Sequence, residues 1–415
     1  METNKEVFEA FSTYISAGKV EMYKKMGITF VPGKREGCWI YDQESAMKVI
    51  NCRSSGGVFN LGHNPIITKK ALMDALDQGI DMGDHLLISK QRAEFAKYLA
   101  DLLPGDMQYT VFGVSGGEAV DLAIKLARAY TGRPNIISTI GGYHGHTGFA
   151  LATGSEEFKK PFGPLPPGFL QIQFGDIEAA RKIINDQSAA FIVETIQATA
   201  GVQIPNDEYY KELRKLCDET GTQLIIDEVQ AGLGRTGRLW AIDEWDVTPD
   251  IMVLGKGMSG ALYPLSATCF RPHLQKFFDE NPFIHISTAG GSDLACIVAK
   301  TMLEETQRLL PNVNDRAKQF EVGLNQLMQQ SEGLIVEIRQ RGLFIGVEFK
   351  TPDLCMLFMQ NCLKQGILCL FANNHPQSLI IMPPLIITSD EVNFILQGLG
   401  SALKDVSQFL IQKMK

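Results

Sequence analysis

The sequence predicts an α/β fold in which a mainly parallel sheet of seven strands is sandwiched between helices, with a smaller α+β domain after it. Short apolar runs alternate with amphipathic helical stretches through the middle of the chain. One run leads into a glycine-rich turn and then a helix, and two others lead into a charged residue. Because strands of parallel sheets are buried on both faces, they read as near-continuous apolar runs of this kind.

The chain is expected to divide into three parts. Residues 1–60 form an N-terminal segment, with a helix and a small hairpin (GCWIYDQESAMKVINC) that pack with the last part of the chain. Residues 61–310 form the large domain. Residues 311–415 form the small domain, in which LIVEIRQRGLFIGVEFK is expected to be a hairpin. The large domain contains seven candidate strands: TVFGV, NIISTI, FLQIQF, AFIVET, QLIIDE, IMVLGK and LSATCF.

Composition and charge argue against several classes of protein. At 415 residues and 45% hydrophobic content, the chain can bury a large core. The net charge of −8 argues against nonspecific binding to nucleic acid. The sequence has no apolar run of about 18 residues, as a membrane span would need, and the polar start METNKEVFEAF differs from a secretory signal. We therefore expect a cytoplasmic protein.

Cysteines and histidines carry no metal-binding pattern. The eight cysteines are scattered in apolar contexts without a Cys-x-x-Cys pair, which indicates reduced thiols in the core. His144 and His146 lie two residues apart in a glycine-rich turn, with no third ligand close in sequence. No metal is therefore expected.

Asp227 and Lys256 are the most informative residues. Asp227 ends the apolar run LIID, where an unpaired buried carboxylate would be costly, so it needs a cation or several hydrogen-bond donors. A protonated ring nitrogen would meet that need. Lys256 follows a second apolar run and lies between Gly255 and Gly257, where little side-chain bulk hinders a planar ring. Together they favour pyridoxal phosphate, held by the lysine as an imine.

The chemistry of this cofactor requires those two residue types. A desolvated lysine has a lowered pKa, so its amine can attack an aldehyde and later move protons as a general base. A carboxylate at the ring nitrogen keeps that nitrogen protonated, and the ring can then withdraw electrons. The attraction between this carboxylate and the protonated ring nitrogen is roughly 4 kcal/mol at ~4 Å and an effective dielectric constant of about 20. Lys256 is the candidate nucleophile and base, and Asp227 tunes the ring.

A candidate phosphate site precedes both residues. The segment TVFGVSGGEAVDLAIKLARAY predicts a strand, a turn at Ser115, Gly116 and Gly117, and an amphipathic helix. Free N–H groups and the positive end of the dipole attract phosphate to the start of a helix. Each pattern alone is also compatible with an ordinary strand-to-helix turn, another nucleotide- or metal-binding fold, or a solvated lysine. Their combination favours the cofactor.

Nearly the whole chain resembles a known family. The sequence is similar to the class III, fold type I pyridoxal-phosphate aminotransferases, most of all to their putrescine (diamine) and ω-amino acid branch. The resemblance implies transfer of an amino group in a two-stage, ping-pong exchange. The similar stretches are FNLGHNP from Phe59, FKKPFGPLPPGF from Phe158, FGDIEAA from Phe174, NPFIHISTAGGSDLA from Asn281, and NN followed by PPLIIT near the end.

The resemblance implies a role for each matching residue. Lys256 would carry the cofactor as an imine, and Asp227 would pair with the ring nitrogen. Gln230 would bond the ring hydroxyl, while Tyr143 and Val229 would lie on opposite faces of the ring. Without the resemblance, Tyr143 is also compatible with a core aromatic, and Gln230 with a cap at a strand end.

Further cofactor contacts follow from the same resemblance. Residues 115–117 would form the phosphate cradle, and His144 and Glu194 would join the cofactor contacts. Thr288, in HISTAGG, would reach the phosphate of the neighbouring subunit, which makes a homodimer, or a dimer of dimers, the active form. Its hydroxyl is also compatible with an ordinary loop or helix cap.

Two positions depart from the family pattern. In many members that handle two acidic substrates, a glutamate after the Glu-x-Ile-Gln motif pairs with an arginine near the Pro-Pro-Leu segment. Here the first position is Thr199, in VETIQATAG, and the second is Ile380, in SLIIMPPLIIT. Loss of both partners together leaves no unpaired charge in the pocket. Without the arginine, a donor with a free α-carboxylate loses a two-point anchor.

The expected donor therefore lacks a free α-carboxylate. Candidates are diamines, ω-amino acids, β-amino acids, and β-amino compounds with a masked carboxyl such as a β-aminoacyl-CoA; family habit suggests 2-oxoglutarate or pyruvate as acceptor. Arg53, in NCRSSGGVFN, is either a replacement for the missing arginine or a solvated surface residue. His146 stands where many relatives carry Arg or Lys, so a charge there would depend on pH.

Two other functions would use parts of the same pattern. A racemase, epimerase or aminomutase on this fold needs the same lysine, aspartate and phosphate site. An amino-acid racemase should also need a carboxylate anchor, and the missing pair weighs against it. A non-catalytic relative would be expected to lose Lys256 or Asp227, and both are present.

Overall fold

The computed structural model describes residues 3–413, which form fifteen strands and thirteen α-helices. The strands are β1 (Pro32–Glu36), β2 (Trp39–Asp42), β3 (Lys48–Asn51), β4 (Tyr109–Gly113), β5 (Asn135–Thr139), β6 (Phe169–Ile172), β7 (Ser188–Glu194), β8 (Gln223–Asp227), β9 (Ile251–Leu254), β10 (Ser266–Phe270), β11 (Ile335–Arg341), β12 (Phe344–Phe349), β13 (Ile367–Leu368), β14 (Leu370–Ala372) and β15 (His375–Ile381). The helices are α1 (Asn4–Phe11), α2 (Ala17–Lys25), α3 (Ile66–Asp77), α4 (Lys90–Ala100), α5 (Gly116–Thr131), α6 (Gly148–Ala152), α7 (Glu156–Lys159), α8 (Ile177–Ile183), α9 (Tyr209–Thr220), α10 (Pro272–Glu280), α11 (Asp293–Gln330), α12 (Pro352–Lys364) and α13 (Ser389–Lys413).

A seven-stranded, mostly parallel sheet lies at the centre of the large domain. Its strand order is β4-β10-β9-β8-β7-β5-β6, and all seven strands are those predicted from the apolar runs. Only β10 runs antiparallel to its two neighbours. The strands β4, β9, β8, β7 and β5 therefore end at the same edge of the sheet, and the residues that follow them can meet there.

Burial explains why these segments are strands. Every residue of β7, β8, β9 and β10 is buried, as expected for a sheet covered on both faces. Helix α5 covers part of one face with buried residues such as Val120 and Ile124. The Ser115 side chain caps the start of this helix by accepting the Glu118 N–H at 3.3 Å, and Gly132 ends it with a φ of +67°.

Two smaller sheets lie outside the central one. The order β1-β2-β3-β13 joins the predicted N-terminal hairpin, β2 and β3, to a strand from the C-terminal part of the chain. The order β11-β12-β15-β14 contains the predicted hairpin over β11 and β12. The parallel pairing of Ile50 with Ile367 brings the N-terminal segment into contact with the C-terminal part of the chain.

The buried residues form separate clusters that follow the same grouping. One large cluster packs around the central sheet and includes Phe191 and Met252. Another combines residues of the N-terminal segment, such as Ile50, with Ile345 and Leu399. Helix α11 runs through residue 310, so the two domains are joined by a continuous helix, and the boundaries at 60 and 310 remain our proposal.

Two further features follow from composition. All eight cysteines are buried and lie as free thiols, in keeping with their apolar contexts. Within residues 3–413, no helix is both long enough and apolar enough to cross a membrane.

The central sheet should dominate stability. Ile192, in the middle of β7, is fully buried, so Ile192→Ala should lower the free energy of unfolding by about 2–5 kcal/mol through lost burial and a residual cavity. Val336 on β11 is 50% exposed, and Val336→Ala is the matched control, with a change below about 0.5 kcal/mol. Urea unfolding of both variants measures this, and equal losses would contradict it.

Candidate active site

Five of the predicted site residues meet at one edge of the central sheet. Glu194 and Asp227 are the last residues of β7 and β8. Ser115, Tyr143 and Lys256 follow the ends of β4, β5 and β9 within a few residues. In open α/β sheets, ligands bind outside the carboxyl ends of the strands, so this edge is the candidate active site.

The Asp227 carboxylate is buried, at 4% exposure, and each of its oxygens has one partner. Its Oδ1 accepts the Val229 N–H at 2.9 Å, and its Oδ2 lies 2.7 Å from Nδ1 of the buried His144. Burial lowers the pKa of His144, but the hydrogen bond and charge of Asp227 outweigh it, so this pKa lies above its ordinary value. Among the described residues, His144 Nε2 has no hydrogen-bond partner.

Lys256 has a strained backbone conformation. Its φ of +42° is in the left-handed region, which is uncommon for a residue other than glycine and is found at functional sites. The Nζ donates to Gln230 Oε1 at 2.8 Å. Burial lowers the pKa of the Lys256 amine from its ordinary value, while the charges of Asp227 and Glu194 act in the opposite direction. A lowered pKa increases the fraction of neutral amine, which is the nucleophilic form.

Glu194 fixes the loop that carries Tyr143. Its Oε1 accepts the Tyr143 N–H at 2.9 Å, and its Oε2 accepts the Ala198 N–H at 3.3 Å. Burial raises the pKa of Glu194 to about 7. Glu194 therefore holds the backbone of Tyr143 in place. The Tyr143 ring is in edge contact with the ring of His146, with centroids 5.1 Å apart.

The turn after β4 has the shape of an anion cradle. The N–H groups of Gly116 and Gly117 donate to no residue within 3–413, as expected for the first turn of a helix. A Cβ on Gly116 would lie 3.1 Å from Val229 Cγ1, and one on Gly117 would lie 2.9 Å from Thr147 Oγ1. A side chain at either position would press against these neighbours, so glycine keeps the turn open.

A cavity lies beside Lys256. Its lining combines the lysine and Gln230 with Arg53, Thr199 and Ile380, the three residues predicted to contact substrate. Thr199 and Ile380 thus line the same cavity. Hydrophobic and neutral groups complete the wall: Leu370, Phe371, Asn373 and Met382.

Thr288 is the predicted residue that lies apart. Its side chain is exposed, and it is absent from the lining of the cavity that holds Lys256. It belongs to a loop whose neighbours Phe283, Ile286 and Ser287 line a separate surface groove. Within one chain, the geometry therefore gives Thr288 no contact with the candidate site.

Two contacts of the site were not predicted from sequence. His144 is expected among the cofactor contacts by resemblance, but its pairing with Asp227 joins residues 83 positions apart and leaves no local pattern. The second contact is made by Asn374, whose Nδ2 donates to Gly141 O at 2.8 Å and to Thr199 Oγ1 at 3.1 Å. The NN motif was the available signal.

The residues present fit a phosphorylated pyridine aldehyde. The glycine turn offers free N–H groups for the phosphate, and its backbone is packed against Val229. The lysine amine and the buried carboxylate of Asp227 belong to the same edge, where Asp227 is close enough to influence the pKa of Lys256. The groups at this edge are therefore an amine, a carboxylate and a turn with free N–H groups, and their roles toward the cofactor stay predictions.

Comparison with known proteins identifies the class. The profile of the class III aminotransferase family matches residues 22–403, and the chain belongs to this family. It is 48% identical to an uncharacterized aminotransferase of Archaeoglobus fulgidus, over 97% of this chain and 95% of that one. It is 35% identical to the putrescine aminotransferase of Pectobacterium atrosepticum, over 97% and 90%.

A solved structure supports the same assignment. The ornithine aminotransferase of Toxoplasma gondii ME49 superimposes with a TM-score of 0.89 at 26% identity, over 98% of this chain and 96% of that one. The fold is that of the fold type I pyridoxal-phosphate aminotransferases, and the cofactor is pyridoxal 5′-phosphate. The predicted fold class, family and enzyme class are confirmed.

Lys256 should be required for attachment of the cofactor. Purified wild-type protein given pyridoxal phosphate and then freed of unbound cofactor should show the absorbance band of the imine, which differs from that of the free aldehyde, and Lys256→Ala should lose it because no amine remains to bond the aldehyde. Lys125→Ala, on the outer part of α5, is the matched control and should keep the band. A band that persists in Lys256→Ala at the same wavelength would contradict the assignment.

Proposed function

We propose that the protein transfers an amino group from a donor without a free α-carboxylate to a 2-oxo acid such as 2-oxoglutarate or pyruvate. The donor class comprises ω- and β-amino acids, diamines, and carboxyl-masked compounds such as β-aminoacyl-CoA. One observation carries the proposal: Thr199 and Ile380 line the cavity beside Lys256 where a charged pair would hold an α-carboxylate. The class of enzyme is that of the family, and the choice of substrates is our inference.

The hydrogen bonds of Thr199 support a neutral wall. Its Oγ1 donates to Gly141 O at 3.1 Å, and its carbonyl accepts the Asn374 N–H at 2.9 Å. The Asn374 amide bonds both Thr199 and Gly141. Because these bonds satisfy Thr199 within the wall, it has no charge to offer and little capacity left for a substrate.

The residues at the strand ends have separable tasks in the proposed reaction. Pyridoxal phosphate, when bound, supplies an aldehyde that captures amines and a ring that accepts electrons. Asp227 would hold a proton at the ring nitrogen, with its own position fixed by His144 and Val229. Gly116 and Gly117 would bind the phosphate through their free N–H groups.

Lys256 would carry out the proton transfer. As a free amine, Lys256 Nζ would take a proton from the substrate carbon that bears the amine, hold it as an ammonium, and give it to the carbon that the cofactor supplies as the aldehyde. Its hydrogen bond to Gln230 orients the amine, and the buried setting favours its neutral form. Gln230 and Tyr143 would position the ring, and the second half of the exchange would reverse these steps with the oxo acid.

A homodimer, alone or as a dimer of dimers, is the proposed active form. Two segments with exposed apolar side chains line one groove: Leu87 is 66% and Phe283 is 71% exposed. Exposed apolar surface of this kind marks protein interfaces. Thr288 belongs to the second segment, so burial of this groove against a second copy would bring Thr288 towards the partner's phosphate turn.

The competing reactions on the same fold are distinguishable. A racemase or epimerase returns its substrate as an amine and leaves the cofactor in its aldehyde form. A transaminase leaves the cofactor as the amine until an oxo acid arrives. The absence of a charged pair at Thr199 and Ile380 favours the second, since a racemase of α-amino acids needs an anchor for the carboxylate.

A single half-reaction tests the donor class. Yellow holoenzyme is mixed with 4-aminobutyrate, β-alanine, 3-aminobutyrate, its CoA thioester, putrescine, glutamate or aspartate, and conversion to the amine form of the cofactor is followed by absorbance. At least one donor without an α-carboxylate should convert roughly tenfold or more faster than aspartate, because a lost two-point anchor is worth about 1.5–3 kcal/mol. Glutamate is the product expected from 2-oxoglutarate, so it serves as the positive control for the reverse of the acceptor half-reaction. Fastest conversion of aspartate would contradict the proposal.

The dimer has its own test. The double variant Leu87→Asp with Ile286→Asp places two charges in the exposed apolar groove and should give monomers by analytical ultracentrifugation. Monomers should also bind pyridoxal phosphate roughly fivefold or more weakly, because the bond from the partner's threonine is lost. Ile411→Asp, at another exposed isoleucine, is the matched control. A wild-type monomer, or a double variant that stays dimeric, would contradict the proposal.

A further inference from the structure

We propose that Arg53 is the residue that binds the carboxylate of the 2-oxo acid acceptor. The inference rests on the proposed transamination and assigns a second role in the same cavity, since Arg53 and Lys256 both line it. Arg53 is exposed, yet it lines the cavity together with Lys256. Its guanidinium forms no hydrogen bond or ion pair with another residue of 3–413.

The backbone around Arg53 is held firmly, which distinguishes it from an ordinary surface arginine. Its neighbours Cys52 and Ser54 are fully buried. Met382 N–H donates to Cys52 O at 2.6 Å, and Ser54 Oγ donates to Met382 O at 2.6 Å. Asn51 Oδ1 also accepts the N–H groups of Arg53 and Ser54, at 3.1 and 2.9 Å. The backbone on both sides of Arg53 is therefore hydrogen-bonded to the cavity wall, which fixes the point from which its side chain extends.

The loop after Arg53 lies next to the Lys256 side chain. Four successive residues, 54–57, have φ values between +47° and +100°, a run of left-handed backbone that carries a conformational cost. A Cβ on Gly56 would lie 3.2 Å from Lys256 Cε and 3.5 Å from Gln230 Oε1. The strained loop thus brings Arg53 and Lys256 to one cavity, and glycine at position 56 makes room for the lysine.

The charges of the cavity make Arg53 the available anchor. Lys256 and Arg53 are its cationic lining residues, and no aspartate or glutamate lines it within residues 3–413. Lys256 is engaged with Gln230 and is needed for proton transfer. Both halves of a ping-pong exchange use one cavity, so the 2-oxo acid must place its carboxylate there. Arg53 is the group that can bind this carboxylate by donating two parallel hydrogen bonds.

The same charges narrow the donor class. A diamine carries a second ammonium group, which would meet a guanidinium in this cavity and no carboxylate from the described residues. Like charges placed together in an interior disfavour binding. An ω- or β-amino acid, in contrast, can place its carboxylate on Arg53. Among the proposed donors, amino acids with a remote carboxylate are therefore favoured over putrescine, the substrate in the name of one relative.

Two half-reactions of Arg53→Gln test the inference. The first is conversion of the yellow holoenzyme by butylamine, which has no carboxylate, and the second is conversion of the amine form by 2-oxoglutarate or pyruvate. The ratio of the second rate constant to the first should fall roughly 10- to 100-fold, because a charge-assisted pair is lost in the second alone. Arg35→Gln, which removes an exposed arginine of β1 outside the cavity, should leave the ratio unchanged.

Binding without reaction gives an independent measurement. Glutarate resembles 2-oxoglutarate but has no oxo group, and calorimetry of the holoenzyme should give a Kd that rises roughly 10- to 100-fold in Arg53→Gln and much less in Arg53→Lys. A ratio within twofold of wild type, with an unchanged glutarate Kd, would overturn the role of Arg53 and leave transamination standing. A wild-type holoenzyme that converts neither substrate would overturn both proposals.

Discussion

The arrangement of the site depends on a buried carboxylate. Asp227 ends a strand whose every residue is buried, and a charge there is tolerated only with partners. His144 and the Val229 N–H provide two of them, each within 3 Å. A protonated ring nitrogen would be the third, and it explains why a carboxylate is retained at this position. Because the parallel strands end together, the lysine and the glycine turn lie at the same sheet edge, where both would contact one cofactor.

The candidate site has two parts, one that would hold the cofactor and one that would contact the substrate. Strand ends and the start of a helix fix the groups that would handle the cofactor, and these come from the central sheet. The part of the cavity wall proposed to contact substrate comes instead from the loop 54–57, from β14 and β15 of the smaller sheet, and from Thr199, which follows β7. We propose that substitutions at Thr199 and Ile380 would change the substrate without disturbing the reaction. Arg53 belongs to this wall.

Much of this could be predicted from sequence, for physical reasons. Apolar runs identified all seven strands, because strands buried on both faces are predominantly apolar. The position of Asp227 and Lys256 at strand ends followed from those runs. The pairing of His144 with Asp227 could not be predicted, since it joins residues 83 positions apart. Nor could the tethering of Arg53 through Met382, which depends on how the two ends of the chain pack.

The central claim is that Lys256 is the residue that bonds pyridoxal phosphate at this sheet edge. Borohydride makes the bond between a lysine amine and an aldehyde permanent, so mass spectrometry of the digested, reduced holoenzyme reports which lysine was bonded. The account predicts that the peptide containing Lys256 carries the reduced pyridoxyl phosphate and that other lysine peptides do not. A modification on a different lysine, with the Lys256 peptide unmodified, would contradict it.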